Sequence, residues 1–113
     1  ILLLDAVRYF RQAAGLNGAA QIVHDLGGRA NPRLLVKLAT AYENSTVRRL
    51  GYLLELFDHQ RQASALRPFA RTAKSMKPLD PSVNRIAAIG PRAQKAGSPT
   101  WKLTLNAPVE IDA

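Results

Sequence analysis

The chain has 113 residues, of which 47% are hydrophobic and 21% are charged, a balance typical of one globular domain. It contains no cysteine, which excludes disulfides and thiolate chemistry, and no apolar run approaches the roughly 20 residues that a membrane-spanning helix needs. The lack of cysteine is also typical of cytoplasmic proteins, and we expect that location.

The first two predicted helices are separated by a glycine. Leu3, Val7 and Phe10 recur at helical spacing and predict an amphipathic first helix. Gly15 is expected to end it in a left-handed conformation. Asn17 is expected to cap the second helix, which should stop at residues 27–28, a glycine pair.

The clearest boundary in the chain is Asn31-Pro32, because asparagine caps a helix and proline is tolerated at its first position. Five apolar or aromatic side chains then form a predicted buried stripe: Leu34, Leu35, Leu38, Ala39 and Tyr42. Residues 44–46 (Asn-Ser-Thr) are expected to cap the next helix.

The central predicted helix contains residues 48–56, and the rest of the domain is expected to pack around it. One face carries Val47, Leu50, Leu54 and Phe57. Gly51 lies on the same face, which predicts close approach by another backbone. Arg48 and Arg49 fall in the first turns, where the helix dipole disfavours positive charge. We therefore predict that they bind a partner, the alternative being that both are solvated.

A further helix is predicted after Phe57, although Pro68 lies inside it. The helix could kink there, or two short helices could meet. If it is continuous, Arg67, Arg71 and Lys74 share one face and form a cationic ridge.

The last part of the chain changes character. Trp101–Asn106 alternates apolar and polar residues, which predicts a half-buried strand, and Val109–Asp112 repeats the alternation. These strands must pair with each other, with the region of residues 77–79, or with a part of the protein outside this chain. The predicted class is α+β, with four to five helices in the first two-thirds and a small C-terminal β region, in a single domain over residues 1–113.

Positive charge is concentrated in residues 59–102, which carry nine basic residues against Asp80 alone, a balance of +8. This pattern indicates either contact with a polyanion or solubility alone. For the first alternative, the predicted nucleic-acid contacts are Arg61, Arg67, Arg71, Lys74, Lys77, Arg92 and Lys95. Trp101 could stack on a base, but a tryptophan that opens a strand is more often part of the core.

No catalytic site is predicted. His24 and His59 each stand beside an aspartate, but neighbours in a helix point in different directions, so neither pair is expected to form a dyad. Two histidines without cysteine or a metal-binding spacing predict no zinc site, and no cofactor is expected. Residues 27–29 (Gly-Gly-Arg) are interpreted as a helix stop and not as a phosphate cradle.

Three segments, in order, resemble a known family. Residues 48–55 (RRLGYLLE), residues 79–82 (LDPS) and the closing run from Trp101 to Asp112 are similar to motifs of the AbiEi antitoxins of type IV toxin–antitoxin systems. Leu4-Asp5-Ala6 and Ala14-Gly15-Leu16 also resemble that family's earlier helices. The resemblance covers nearly the whole chain.

The resemblance implies an antitoxin and transcriptional autoregulator, not an enzyme. It implies that this chain corresponds to the C-terminal antitoxin domain, and that the family's N-terminal winged-helix domain lies outside it. The implied partners are promoter DNA and a nucleotidyltransferase-type toxin, with which direct contact is not required. The alternative is a general protein- or nucleic-acid-interaction module without an antitoxin role.

Overall fold

The computed structural model of the chain describes residues 2–10, 15–81 and 97–111. These ranges contain five α-helices, a 3-10 turn and three short strands. The helices are α1 (Leu2–Arg8), α2 (Gly15–Leu26), α3 (Pro32–Ala39), α4 (Asn44–Leu56) and α5 (Gln60–Arg71), with the 3-10 turn at Gly27–Arg29. The strands are β1 (Lys77–Pro78), β2 (Gly97–Ser98) and β3 (Leu103–Thr104). The predicted α+β class, mainly helical, is confirmed.

Helix α4 forms the centre of the core. Val47, Leu50, Leu53 and Leu54 are completely buried in it, and the helix packs against α1, α2 and α5. A buried leucine stabilises a fold by about 1.5–3 kcal/mol relative to an exposed one. The central position that the apolar spacing predicted for this helix is therefore confirmed.

One local prediction holds in detail, and a second holds only for the backbone conformation. The side chain of Asn31 accepts hydrogen bonds from the backbone N–H groups of Arg33 (3.0 Å) and Leu34 (3.2 Å), so it caps α3 with Pro32 at the first position. Gly15 has a φ of +73°, and its N–H donates to the carbonyl of Phe10 at 2.7 Å. The predicted left-handed conformation is therefore present, but α1 already ends at Arg8 and Gly15 is the first residue of α2, so the prediction that Gly15 ends the first helix is wrong.

Two predicted caps are wrong, because the polar side chains make longer-range contacts instead. Helix α2 begins at Gly15, which places Asn17 inside its first turn, where its side-chain oxygen accepts from the N–H of Glu110 at 2.8 Å. Helix α4 has no side-chain cap, and the amide of Asn44 donates to the carbonyl of Phe69 at 2.8 Å. Tertiary partners replaced the local ones in both cases.

Helix α5 runs through Pro68 as one helix, which decides between the two sequence alternatives. It ends at Arg71, however, so Lys74 lies beyond it and the predicted three-residue ridge along one helix face is wrong. The buried stripe predicted for α3 is also partly wrong, because Leu34 remains 52% exposed while Leu35 and Ala39 are buried.

The small sheet has β3 in the middle. Strand β1 pairs with it in parallel, with Lys77 opposite Leu103, and β2 pairs with it in antiparallel fashion. The predicted strand at 101–106 therefore pairs with the region of residues 77–79. Residues 109–111 do not form the second predicted strand, and Asp112 lies outside the described residues.

Candidate nucleic-acid interface

The structure divides the predicted nucleic-acid contacts between two surfaces. Arg67 and Arg71 line one groove, together with Lys102, whereas Arg61 lines another with Arg29 and Arg33. Lys74 is exposed on the segment between α5 and β1, and Lys77 is exposed at the first position of β1. Arg92 and Lys95 lie outside the described residues. The predicted contacts that line grooves therefore fall into two clusters, with Arg61 in one and Arg67 and Arg71 in the other.

The first cluster is organised by Lys102. Its ammonium group donates to the carbonyls of Arg71 (3.2 Å) and Ala73 (2.8 Å), where it meets the negative end of the α5 dipole. Its own carbonyl accepts from the backbone N–H of Lys77 at 3.1 Å. Lys102 thereby brings the C-terminal end of α5, the following segment and β1 together beside an open groove of about 500 Å³.

We define the basic face as the exposed side chains of Arg71, Lys74 and Lys77 with the half-buried Lys102. No acidic residue lines its groove, whose described walls are Arg67, Arg71, Pro99, Thr100 and Lys102. Side chains that present several positive charges without local acids are suited to contact phosphates.

Arg67 is less suited to this role than its neighbours. Its guanidinium donates to Glu55 at 2.7 Å, and the other carboxylate oxygen of Glu55 accepts from the indole N–H of Trp101 at 3.4 Å. The positive charge of Arg67 is therefore offset by an acid of α4. A contact between Arg67 and nucleic acid stays a prediction. The contact that the structure shows is the ion pair with Glu55.

Arg48 is buried, at 3% exposure, so the expectation that it lies at the surface is wrong. One guanidinium nitrogen donates to the carbonyls of Ser75 (3.0 Å) and Lys102 (2.9 Å). Burial lowers the pKa of Arg48, because it disfavours the charged form. The partner that this arginine required is the chain's own backbone, at the residues that precede β1 and β3.

Arg49 also contacts the sheet region, since its Nε donates to the carbonyl of Pro78 at 2.9 Å. The two arginines therefore fasten α4 to the ends of β1 and to the residue before β3. This explains the positive charge in the first turns of α4. A contact between Arg49 and another protein stays a prediction.

Gly51 provides the space in which Trp101 packs. A Cβ atom placed on Gly51 would lie 2.1 Å from Cζ3 of Trp101, which is too close for two carbon atoms that are not bonded to each other. The close approach expected at this glycine is confirmed, but the neighbour is an indole ring and not a backbone. Trp101 is completely buried, as its interpretation as a core residue predicted.

Together, four residues of the motif at 48–55 hold the C-terminal β region on α4. Arg48 and Arg49 bind backbone carbonyls, Gly51 receives the indole ring, and Glu55 accepts from its N–H. The motif is therefore a docking surface for the segment that carries Trp101 and Lys102. The sequence indicated that the glycine and the two arginines needed a partner. It did not indicate that all of them contact the same C-terminal β region.

The histidines serve the fold. Nδ1 of His24 lies 2.9 Å from the carboxylate of Asp25, so the expectation that neighbours do not pair is wrong here, and this contact lowers the pKa of Asp25. His59 donates through Nε2 to the carbonyl of His24 at 3.1 Å. Within the described residues, no group of three or more His, Cys, Asp or Glu side chains is placed to hold a metal ion.

The second basic cluster was missed by sequence reasoning, except for Arg61. Arg29, Arg33 and Arg61 line an open groove of about 630 Å³ at the N-terminal end of α3. Arg29 and Arg33 lie outside the basic stretch at 59–102. A signal was nevertheless present, because both flank the Asn31-Pro32 boundary and must therefore lie near the start of that helix.

Comparison with known proteins gives one match. Residues 1–56 match the family model described as the AbiEi antitoxin C-terminal domain. The matched range ends at Leu56, the last residue of α4, and so includes the whole docking motif but none of the strands that it holds. No curated protein and no solved structure matches the chain significantly. In the described part of the chain, no helix has the length and apolar character needed to span a membrane.

Proposed function

Because residues 1–56 belong to the AbiEi antitoxin C-terminal domain family, we propose that this protein counteracts a nucleotidyltransferase-type toxin of a bacterial type IV toxin–antitoxin system. The family supports an antitoxin role in a toxin–antitoxin system. The family match is the observation that carries the proposal. We further propose that the protein supports binding of promoter DNA in the cytoplasm, and that the basic face makes this contact.

The protein acts, in this proposal, by binding and not by catalysis. The charged residues of the motif at 48–55 are engaged in packing α4 against the β region, as the contacts of Arg48 and Glu55 illustrate. The remaining exposed charges form contact surfaces. A DNA backbone is a suitable partner for the basic face, because its affinity for proteins depends on lysine and arginine contacts with phosphates.

The antitoxin role is tested by expressing the protein together with the toxin encoded beside it. We expect the toxin alone to arrest bacterial growth and the co-expressed chain to restore it. A catalytically inactive toxin gives the growth reference. Continued arrest, with the chain present in folded form at or above the level of the toxin, would contradict the proposed role.

The DNA contact is tested by replacing Arg71, Lys74 and Lys77 with glutamine together. Log K falls as log salt rises, and each lost phosphate contact reduces the magnitude of this slope by roughly 0.9. The triple variant is therefore expected to show a slope smaller in magnitude by up to about 2.7. The measurement is fluorescence anisotropy of a labelled promoter duplex between about 50 and 200 mM salt.

Lys37→Gln is the matched control, because Lys37 is exposed on α3 and lines neither basic groove. Its substitution removes one charge without touching the basic face. A triple variant whose salt slope equals that of the unmodified chain would remove the basic face from the proposed contact. The antitoxin proposal would then still stand, since growth rescue measures it separately.

A further inference from the structure

A groove lined by leucines lies between α1, the end of α2 and α3. Its volume is about 420 Å³, and its apolar walls are Leu3, Leu26, Leu34, Leu35 and Leu38. Leu34 is 52% exposed. Leu34 and Leu38 are four residues apart on α3, which places them on the same helical face. The groove is thus an open apolar surface that the described chain does not cover.

This leucine groove continues into the second basic cluster. Arg29, Ala30 and Asn31 line both the apolar groove and the groove formed with Arg33 and Arg61. The two share a wall at the N-terminal end of α3, where the helix dipole adds partial positive charge. We call the combined surface the leucine–arginine groove.

The arginines of this groove have no acidic partners among the described residues. Every ion pair found in the described ranges involves other side chains: Arg8 with Glu43, His24 with Asp25, and Arg67 with Glu55. Arg29, Arg33 and Arg61 are all exposed, and no acidic residue lines either part of the groove. Three uncompensated positive charges therefore border an apolar trough.

We propose that the leucine–arginine groove binds an acidic amphipathic helix of a partner protein. Such a helix places apolar anchors at i, i+4 and i+7 in a groove, and its carboxylates on the flanks can pair with arginines. Charge complementarity selects this occupant. A second copy of the chain, at a net charge of +8, would bring like charge to the arginines. Nucleic acid would match the arginines but leave the leucines without apolar partners.

This site goes beyond the proposed function and is separate from the basic face, with which it shares no lining residue. Failure of the DNA or antitoxin experiments would not contradict the proposed helix-binding groove. Failure of the peptide-binding experiment would not contradict the proposed DNA contact or antitoxin role. The partner is defined here by its chemistry alone.

The probe is a fluorescein-labelled peptide of about five helical turns, roughly 18 residues, with leucines at i, i+4 and i+7 and glutamates on the flanking positions. One control peptide replaces the leucines with serine at equal charge, and another replaces the glutamates with lysine at equal apolarity. We expect the acidic leucine peptide to bind at least tenfold more tightly than either control by anisotropy.

Two variants locate the binding. Leu34→Ser is expected to weaken it about tenfold, since the variant removes an exposed apolar contact from the groove wall. The double change Arg33→Glu and Arg61→Glu is expected to weaken it at least fivefold, with a loss that shrinks at high salt. All three positions are exposed, so the fold should persist. Lys37→Glu on α3 is the control that leaves affinity within about twofold.

The proposal is overturned by any of three binding results and by one competition result. These are no binding of the acidic leucine peptide up to about 1 mM, equal binding of the serine control peptide, or equal losses in the groove variants and in Lys37→Glu. Promoter duplex that displaces the peptide stoichiometrically would also overturn it in favour of a nucleic-acid site. Amide chemical shifts that change around Leu34 and Arg61 would support it directly.

Discussion

Replacing Trp101 with alanine is expected to lower the free energy of unfolding by about 3–5 kcal/mol. Trp101 is completely buried and is the only tryptophan of the chain. Its ring lies over Gly51, and its indole N–H donates to Glu55 at 3.4 Å. The substitution leaves a cavity next to α4 and removes one hydrogen bond from the carboxylate that also pairs with Arg67.

An effect of this size is large for a domain, because total stabilities are commonly about 5–15 kcal/mol. Urea unfolding followed by far-ultraviolet circular dichroism measures it. Leu56→Ala is the matched control, since Leu56 lies on the same helix at 48% exposure and should change stability by less than about 1 kcal/mol. Equal losses in the two variants would show that Trp101 does not hold the β region on α4.

Replacing Gly51 with alanine is expected to destabilise the fold by about 2 kcal/mol, although alanine is the better helix former. The exchange favours the helix by about 1 kcal/mol. The added Cβ would lie 2.1 Å from Cζ3 and 2.4 Å from Cη2 of Trp101, and overpacking commonly costs about 1–3 kcal/mol, occasionally more. The ring is rigid and buried, so it can yield only if β3 shifts with it.

The same exchange in a Trp101→Ala background should change sign. With the indole absent, the methyl group meets no ring, and the helix propensity alone stabilises by about 1 kcal/mol. The coupling free energy between the two positions is therefore expected to reach about 3 kcal/mol, the upper end of values for residues in contact. Identical effects of Gly51→Ala in both backgrounds would contradict the packing described here.

The packing of Trp101 on Gly51 also links the docking motif to the basic face, because Lys102 follows Trp101 in the chain. Arg48 binds the carbonyl of Lys102, while the ammonium group of Lys102 binds the carbonyl ends of α5. The docking of Trp101 on α4 thus positions the residue that organises the basic face. A variant that releases the β region should lose DNA contact as well as stability, whereas the Arg71, Lys74 and Lys77 variant should lose only the former.

Local features of the fold could be read from the sequence because their causes are local. The spacing of Val47, Leu50 and Leu54 was sufficient to place α4 in the core, since a helix repeats its faces every three to four residues. Asn31-Pro32 began a helix as predicted, because the cap and the first backbone N–H groups are neighbours in the chain. The alternation after Trp101 likewise predicted β3 and the burial of the indole.

What only the tertiary structure decided is which remote groups meet. Arg48 was expected at the surface, because nothing nearby in sequence shows that the carbonyls of Ser75 and Lys102 lie beside it. The count of charges over residues 59–102 gave no positions in space, and α5 carries Arg61 near its first residue and Arg71 at its last. Periodicity defines the faces of single helices, whereas charge clusters and docking depend on how those helices pack. For that reason the central position of α4 was predictable. The shared groove of Arg61, Arg29 and Arg33 was not.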